Sequence, residues 1–226
     1  MNHRRVHPPL WVWCGPLLLL TVLAIVSNRV DLLIARYYYL DGNFSSYSLF
    51  TWFYQYGPLA TQIAGVGSIL YLLGAWCAGT KGRWQKAAWV LLLTLIIGPG
   101  LVTNVLLKDH WGRPRPKEVI EFGGKDAFRP FYRPQLQWSS SKHKSFPSGH
   151  ASMGFYWFAL TVVGWYERKR NLIVLGTFLA LSLGAFLSVT RIAQGGHFFS
   201  DVLVAGILMW WTAWVVGYFI YREDTR

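Results

Sequence analysis

The chain has 226 residues, 53% of them hydrophobic and 14% charged, with 13 Trp and a formal net charge of +12. So little charge, with apolar runs near the roughly 20 residues that cross a bilayer, excludes an ordinary soluble domain and indicates an integral membrane protein. The cations are scattered between the runs, which argues against nucleic acid and for anionic headgroups or phosphate substrates.

The N-terminus is basic and runs into apolar residues with no small-x-small cleavage site near Ser27, so an uncleaved first span is expected. Six helices are expected, over about 10–27, 56–79, 87–107, 149–166, 172–190 and 201–221. No polar block is long enough for a second domain. Residues 1–226 therefore read as a single all-α membrane-embedded domain. Its motif-bearing core covers about 56–221, and a long extracytoplasmic loop joins the third and fourth helices. Residues 31–56, dense in Tyr, Phe and Trp, read as an interfacial stretch with a short surface helix. Gly98-Pro99-Gly100 is expected to kink the third span or to let a neighbour pack closely. Residues 139–145, SSSKHKS, read as a flexible part of the outer loop. Cys14 and Cys77 lie far apart in two spans without metal-ligand spacing, and read as small core residues.

Arg4, Arg5, Lys81, Arg83, Lys86, Arg168, Lys169, Arg170, Arg222 and Arg226 fall in short loops and tails on one side. Short positive loops stay in the cytoplasm, which places both termini there and the long loop outside. Three unusual segments then share the outer face: KDHWGRPRP (108–116), PSGH (147–150) and TRIAQGGHFFSD (190–201). Ionisable groups near a membrane are costly and mark function.

In the first segment Lys108, Arg113 and Arg115 alternate with Gly112, Pro114 and Pro116. Proline fixes the residue before it in extended backbone, so a rigid loop can aim guanidinium forks at phosphate oxygens. Snorkelling juxtamembrane cations are the plainer alternative for this segment alone. In the second, Ser148, Gly149 and His150 open a helix, whose free N–H groups favour an anion. Ser148 taken alone is better read as an N-cap. In the third, His197 and Asp201 are four apart and share a helix face, where a carboxylate would fix the imidazole tautomer. A structural hydrogen bond is the alternative, and Arg191 alongside weakens it. Together the segments hold cationic clamps, backbone donors, a nucleophile with an orienting acid, and a second histidine for the leaving group. The ten acidic residues are dispersed, so no metal and no cofactor is expected.

These motifs resemble the type 2 phosphatidic acid phosphatase superfamily of membrane lipid phosphatases. The family pattern is Lys, six residues, Arg-Pro; Pro-Ser-Gly-His; and Ser-Arg, five residues, His, three residues, Asp. Lys108 with Arg115-Pro116, then Pro147-Ser148-Gly149-His150, then Arg191, His197 and Asp201 follow it, with Thr190 where the pattern has Ser. KDHWGRPRP, EFGG (121–124) and QGGHFFSD resemble in particular the bacterial lipid A 1- and 4′-phosphatases.

The resemblance implies that His197 attacks phosphorus to form a phosphohistidine, that Asp201 orients it, and that His150 protonates the leaving group. It implies that Lys108, Arg115, Ser148, Gly149 and Arg191 hold the phosphate oxygens. Arg113 has no motif position and is expected behind the site or against the rest of the headgroup. The cationic loop (Lys117, Lys125, Arg129, Arg133, Lys142, Lys144) suits a multiply phosphorylated saccharolipid or a pyrophosphate. The expected partners are a phosphorylated membrane lipid and the bilayer of a bacterial inner membrane, with the site on the periplasmic side. The rival readings are undecaprenyl pyrophosphate or phosphatidylglycerol phosphate as substrate, a lipid phosphotransferase, and a non-catalytic anionic-lipid binder or transporter. The soluble vanadate haloperoxidases share the fold, but six spans argue against that reading.

Overall fold

The computed structural model of the chain describes residues 7–45, 47–80, 82, 84–136 and 143–222. The order is α1 (Trp11–Tyr37), a hairpin of β1 (Tyr39–Leu40) and β2 (Asn43–Phe44), α2 (Ser48–Tyr56), α3 (Leu59–Cys77) and α4 (Gln85–Leu95). Then come a π-helical continuation (Ile96–Lys108), two short 3-10 turns, α5 (Gly149–Phe155), α6 (Phe158–Tyr166), α7 (Arg170–Ala193) and α8 (Phe199–Tyr221). Among the described residues, five stretches are long and apolar enough to cross a membrane: Trp11–Tyr37, Ser48–Cys77, Gln85–Lys108, Arg170–Ala193 and Phe199–Tyr221. Helices suit a bilayer because every backbone polar group is paired within the segment.

The first span runs ten residues past the expected end. Its buried stripe is Leu23, Ser27, Asp31 and Ala35, spaced by one helical turn. Asp31 does not end the helix, because it meets Arg113 inside the protein. The aromatic stretch 31–56 is therefore not one interfacial segment. Asp41 and Gly42 both have positive φ, 51° and 78°, and close a two-residue hairpin with Tyr39 opposite Phe44. α2 then leads through Gly57-Pro58 into α3.

The expected fourth helix is broken at Tyr156-Trp157 into α5 and α6. Both halves pack on α7 at backbone distance. A Cβ on Gly154 would lie 2.7 Å from Gly184 Cα, and one on Gly176 would lie 2.4 Å from the Thr161 nitrogen. Small residues permit such close approach, and the break lets both halves follow α7. Cys14 and Cys77 are free and exposed, not core residues; a bilayer surrounding the bundle exerts no pressure to bury them.

At Gly98-Pro99-Gly100 the third span widens into π-helix. Pro99 removes one helical donor and crowds the preceding turn. Asn104 Nδ2 donates to the Pro99 carbonyl at 2.7 Å, which stabilises the wider turn. The widening ends at Lys108.

The two ends of the bundle differ. At one end Lys169 sits 3.4 Å over the Trp84 ring, and Tyr221 donates to Glu167 at 2.9 Å. Lys86 and Arg222 lie at this end too, over the rings of Tyr221 and Phe219. At the other end stand the three motif segments. Arg4, Arg5, Lys81, Arg83, Lys142 and Arg226, with most of 139–145, lie outside the described residues.

Candidate active site

The α7–α8 turn carries His197. Gly195 takes φ 61° there, and Gly196 leaves room for a guanidinium: a Cβ on Gly196 would lie 2.3 Å from Arg191 Nη2. Arg191, in the last turn of α7, donates to Gln194 Oε1 at 2.7 Å. His197 is 1% exposed. Its Nδ1 donates to the Ser145 carbonyl at 2.5 Å. That bond places the proton on Nδ1 and leaves Nε2 with a free lone pair.

The expected direct bond between His197 and Asp201 is not made, since the atoms are 3.9 Å apart. Asp201 instead accepts from Ser145 Oγ at 2.6 Å and from the Phe198 N–H at 2.8 Å, and pairs with Arg113. The carboxylate thus holds the residue whose carbonyl holds the imidazole.

Arg113 is an internal hub, not a headgroup contact. It is 1% exposed and donates to Asp31 at 2.8 Å, to Ser200 Oγ at 2.8 Å, to the Arg129 carbonyl at 2.8 Å and to Asp201. The Phe198 ring lies 4.6 Å from its Cζ. Asp31 also accepts from the Ser200 N–H and hydroxyl at 2.8 and 2.6 Å. A buried cation with every face occupied cannot reach a lipid.

Ser148 caps α5, its Oγ accepting from the Ala151 N–H at 3.3 Å, and its own N–H bonds the Asp201 carbonyl at 3.2 Å. The hydroxyl proton stays available to a ligand. A Cβ on Gly149 would lie 3.5 Å from Lys108 Nζ and 3.0 Å from Asn104 Oδ1. Lys108, Arg115 and Arg191 stand close enough to repel one another. Among the described residues none of the three forms an ion pair with a carboxylate. The buried Nε donors of Arg115 and Arg191 have no protein acceptor. Mutually repelling cations with orphaned donors are suited to hold an anion. Burial, then the charges of Arg191 and Lys108, push the His197 pKa well below 6.5, against the weaker opposing effect of the Ser145 hydrogen bond. His197 is therefore neutral.

A model of the PAP2 superfamily matches residues 87–224. The chain belongs to the PAP2 superfamily. A lipid A 4′-phosphatase of Francisella tularensis subsp. novicida is 40% identical over 173 residues, 76% of this chain and 74% of the relative. A lipid A 4′-phosphatase of Rhizobium leguminosarum is 35% identical over 56% of this chain and 50% of its own length. A lipid A 1-phosphatase of Rhizobium etli is 31% identical over 58% and 50%. No solved structure matches the chain. With its spanning helices and these relatives, this PAP2 protein is a membrane lipid phosphatase.

The PAP2 site draws on residues that the motifs did not reveal. Asp31 comes from α1 and Tyr54 from α2, both before the matched region. The Tyr54 ring stacks on His150, with centroids 4.4 Å apart and planes 18° apart, and Arg191 Cζ lies 4.8 Å from the same ring. Asn104 and Ser145 complete the set. The four-residue spacing of the α1 stripe was the readable signal for Asp31; for Tyr54 no local pattern existed.

Proposed function

We propose that the chain removes a phosphate from lipid A, at the 4′ position, by a metal-independent route through a phosphohistidine. The observation that carries it is His197 held by the Ser145 carbonyl, so that neutral Nε2 is a nucleophile beside Lys108, Arg115 and Arg191. Nε2 attacks phosphorus as the P–O bond to the lipid breaks. The electron pair of that bond goes to the leaving oxygen, which takes the proton of His150. Lys108, Arg115, Arg191, the Ser148 hydroxyl and the Gly149 N–H hold the equatorial oxygens, whose charge they balance without a metal. Water then attacks phosphorus and gives a proton to the now deprotonated His150, while the P–N bond breaks, its electron pair returns to His197 Nε2 and inorganic phosphate leaves. Two relatives bearing the 4′ name, one of them 40% identical, support the position.

The cations Lys86, Lys169 and Arg222 gather at the end opposite the site. This supports cytoplasmic termini and a periplasmic site in a bacterial inner membrane.

The test is phosphate release by purified protein in EDTA, from lipid A, undecaprenyl pyrophosphate, phosphatidylglycerol phosphate and phosphatidic acid. Release from lipid A well above the others, lost in His197→Ala while lipid binding persists, is the expected result. Normal turnover in His197→Ala would sink the nucleophile assignment. Activity abolished by EDTA and restored by Mg²⁺ would sink the metal-free route.

A further inference from the structure

We propose that Tyr54 is a positioning residue that holds the His150 ring in place beside the Arg191 clamp, so that leaving-group protonation acts on the bound ester. The inference rests on the phosphatase reading above.

α2 buries none of its residues. It is anchored to α7 without Tyr54: Phe53 stacks on Phe186 with centroids 5.3 Å and planes 11° apart, and a Cβ on Gly57 would lie 2.3 Å from Leu187 Cδ2. Just beyond it, Thr61 Oγ1 donates to the Met153 carbonyl of α5 at 2.7 Å. Tyr54 is 42% exposed, so it adds little to the core. Its contacts are the two site residues instead, His150 stacked on the ring and Arg191 over it.

The physical need is clear. The charges facing His150 are Arg191 and Lys108, both cations. A proton donor beside two cations holds its proton weakly. The Tyr54 ring stacks on the imidazole and attracts the Arg191 guanidinium, and the Tyr54 carbonyl accepts from the His150 ring, so one residue fixes the imidazole plane beside the two cations. Phenylalanine would retain the stacking; alanine would lose it and keep only the backbone hydrogen bond to His150.

The experiment compares wild type, Tyr54→Phe, Tyr54→Ala and Phe53→Ala, each on lipid A and on 4-nitrophenyl phosphate. The sugar alkoxide leaves poorly and needs a proton, whereas nitrophenolate leaves without one. Tyr54→Ala is expected to lower kcat on lipid A about ten- to a hundredfold, and on nitrophenyl phosphate by less than about threefold. Tyr54→Phe is expected to restore most of the lipid A rate. Phe53→Ala, which loosens α2 itself, should impair both substrates together. Equal loss on both substrates in Tyr54→Ala would show a purely structural or phosphate-holding role and overturn the inference. Wild-type rates in Tyr54→Ala would overturn it too. If wild-type protein released phosphate from neither substrate, the phosphatase reading would fall first and this inference with it.

Discussion

Replacing Arg113 with Met leaves two buried carboxylates, Asp31 and Asp201, without the guanidinium they share. Both acids are 0% exposed. Breaking a buried ion pair by removing one partner costs about 3–5 kcal/mol, because the other charge stays buried. At about 2–4 °C per kcal/mol for a chain of this size, the variant should melt about 6–20 °C lower. Activity should fall as well, since Arg113 holds Asp201, Asp201 holds Ser145, and Ser145 holds His197. The assay is thermal unfolding in detergent, paired with phosphate release at a temperature where the variant is folded. Adding Asp31→Asn removes one of the stranded charges. The double variant should therefore be more stable than the sum of the two single losses, by about 0.5–3 kcal/mol. A headgroup-contacting Arg113 would behave otherwise, with KM raised and the melting temperature unchanged. That outcome would refute the hub.

Gly196→Ala puts a Cβ 2.3 Å from Arg191 Nη2. The flexible end of Arg191 should give way, leaving stability almost unchanged but lowering kcat/KM by about a hundredfold, the scale of a misplacement near 1 Å; kinetics and melting measured together check this, and wild-type kinetics would refute it. His197 has a folded pKa well below its ordinary 6.5, so the unfolded chain takes up a proton that the folded chain refuses. Its contribution to stability is complete above 6.5 and declines as pH falls toward the folded value, by about 1.4 kcal/mol per unit at full slope. Melting curves of wild type between pH 7 and 5 should thus fall more steeply than those of His197→Gln, and parallel curves would contradict the burial argument.

The motif residues were legible because phosphate chemistry demands fixed residue types at fixed spacing around tight turns. Lys108, Arg115, Ser148, Gly149, His150, Arg191, His197 and Asp201 are brought to one end of the bundle, although they come from three separate segments. The partner of His197 was not legible. A histidine and an aspartate four apart on a helix suggest a direct bond, but His197 lies before α8 begins, and its ring turns to Ser145. Arg113 was ambiguous because an arginine between prolines looks the same whether it points outward or inward. Its direction is decided by Asp31, far away in sequence on a stripe that a window of hydropathy alone truncates. The break in 149–166 was invisible for a related reason: it follows the shape of α7, not any proline or glycine at the break itself.

The placement of these unseen partners divides the labour of the chain. The family-matched region, 87–224, contains His197, His150, Lys108, Arg115 and Arg191, the residues proposed as nucleophile, acid and clamps. Their supports come from before it. Asp31 on α1 anchors the cluster behind His197, and Tyr54 on α2 bears on His150 and Arg191. The two histidines thus lean on different N-terminal helices. A substitution in α1 should then disturb nucleophile and stability together, because its contact is a buried charge pair. One at Tyr54 should disturb leaving-group dependence while sparing stability, because its contact is a half-exposed ring. The same N-terminal segment would serve both halves of the reaction by different physics, and the two variants, measured side by side, separate them.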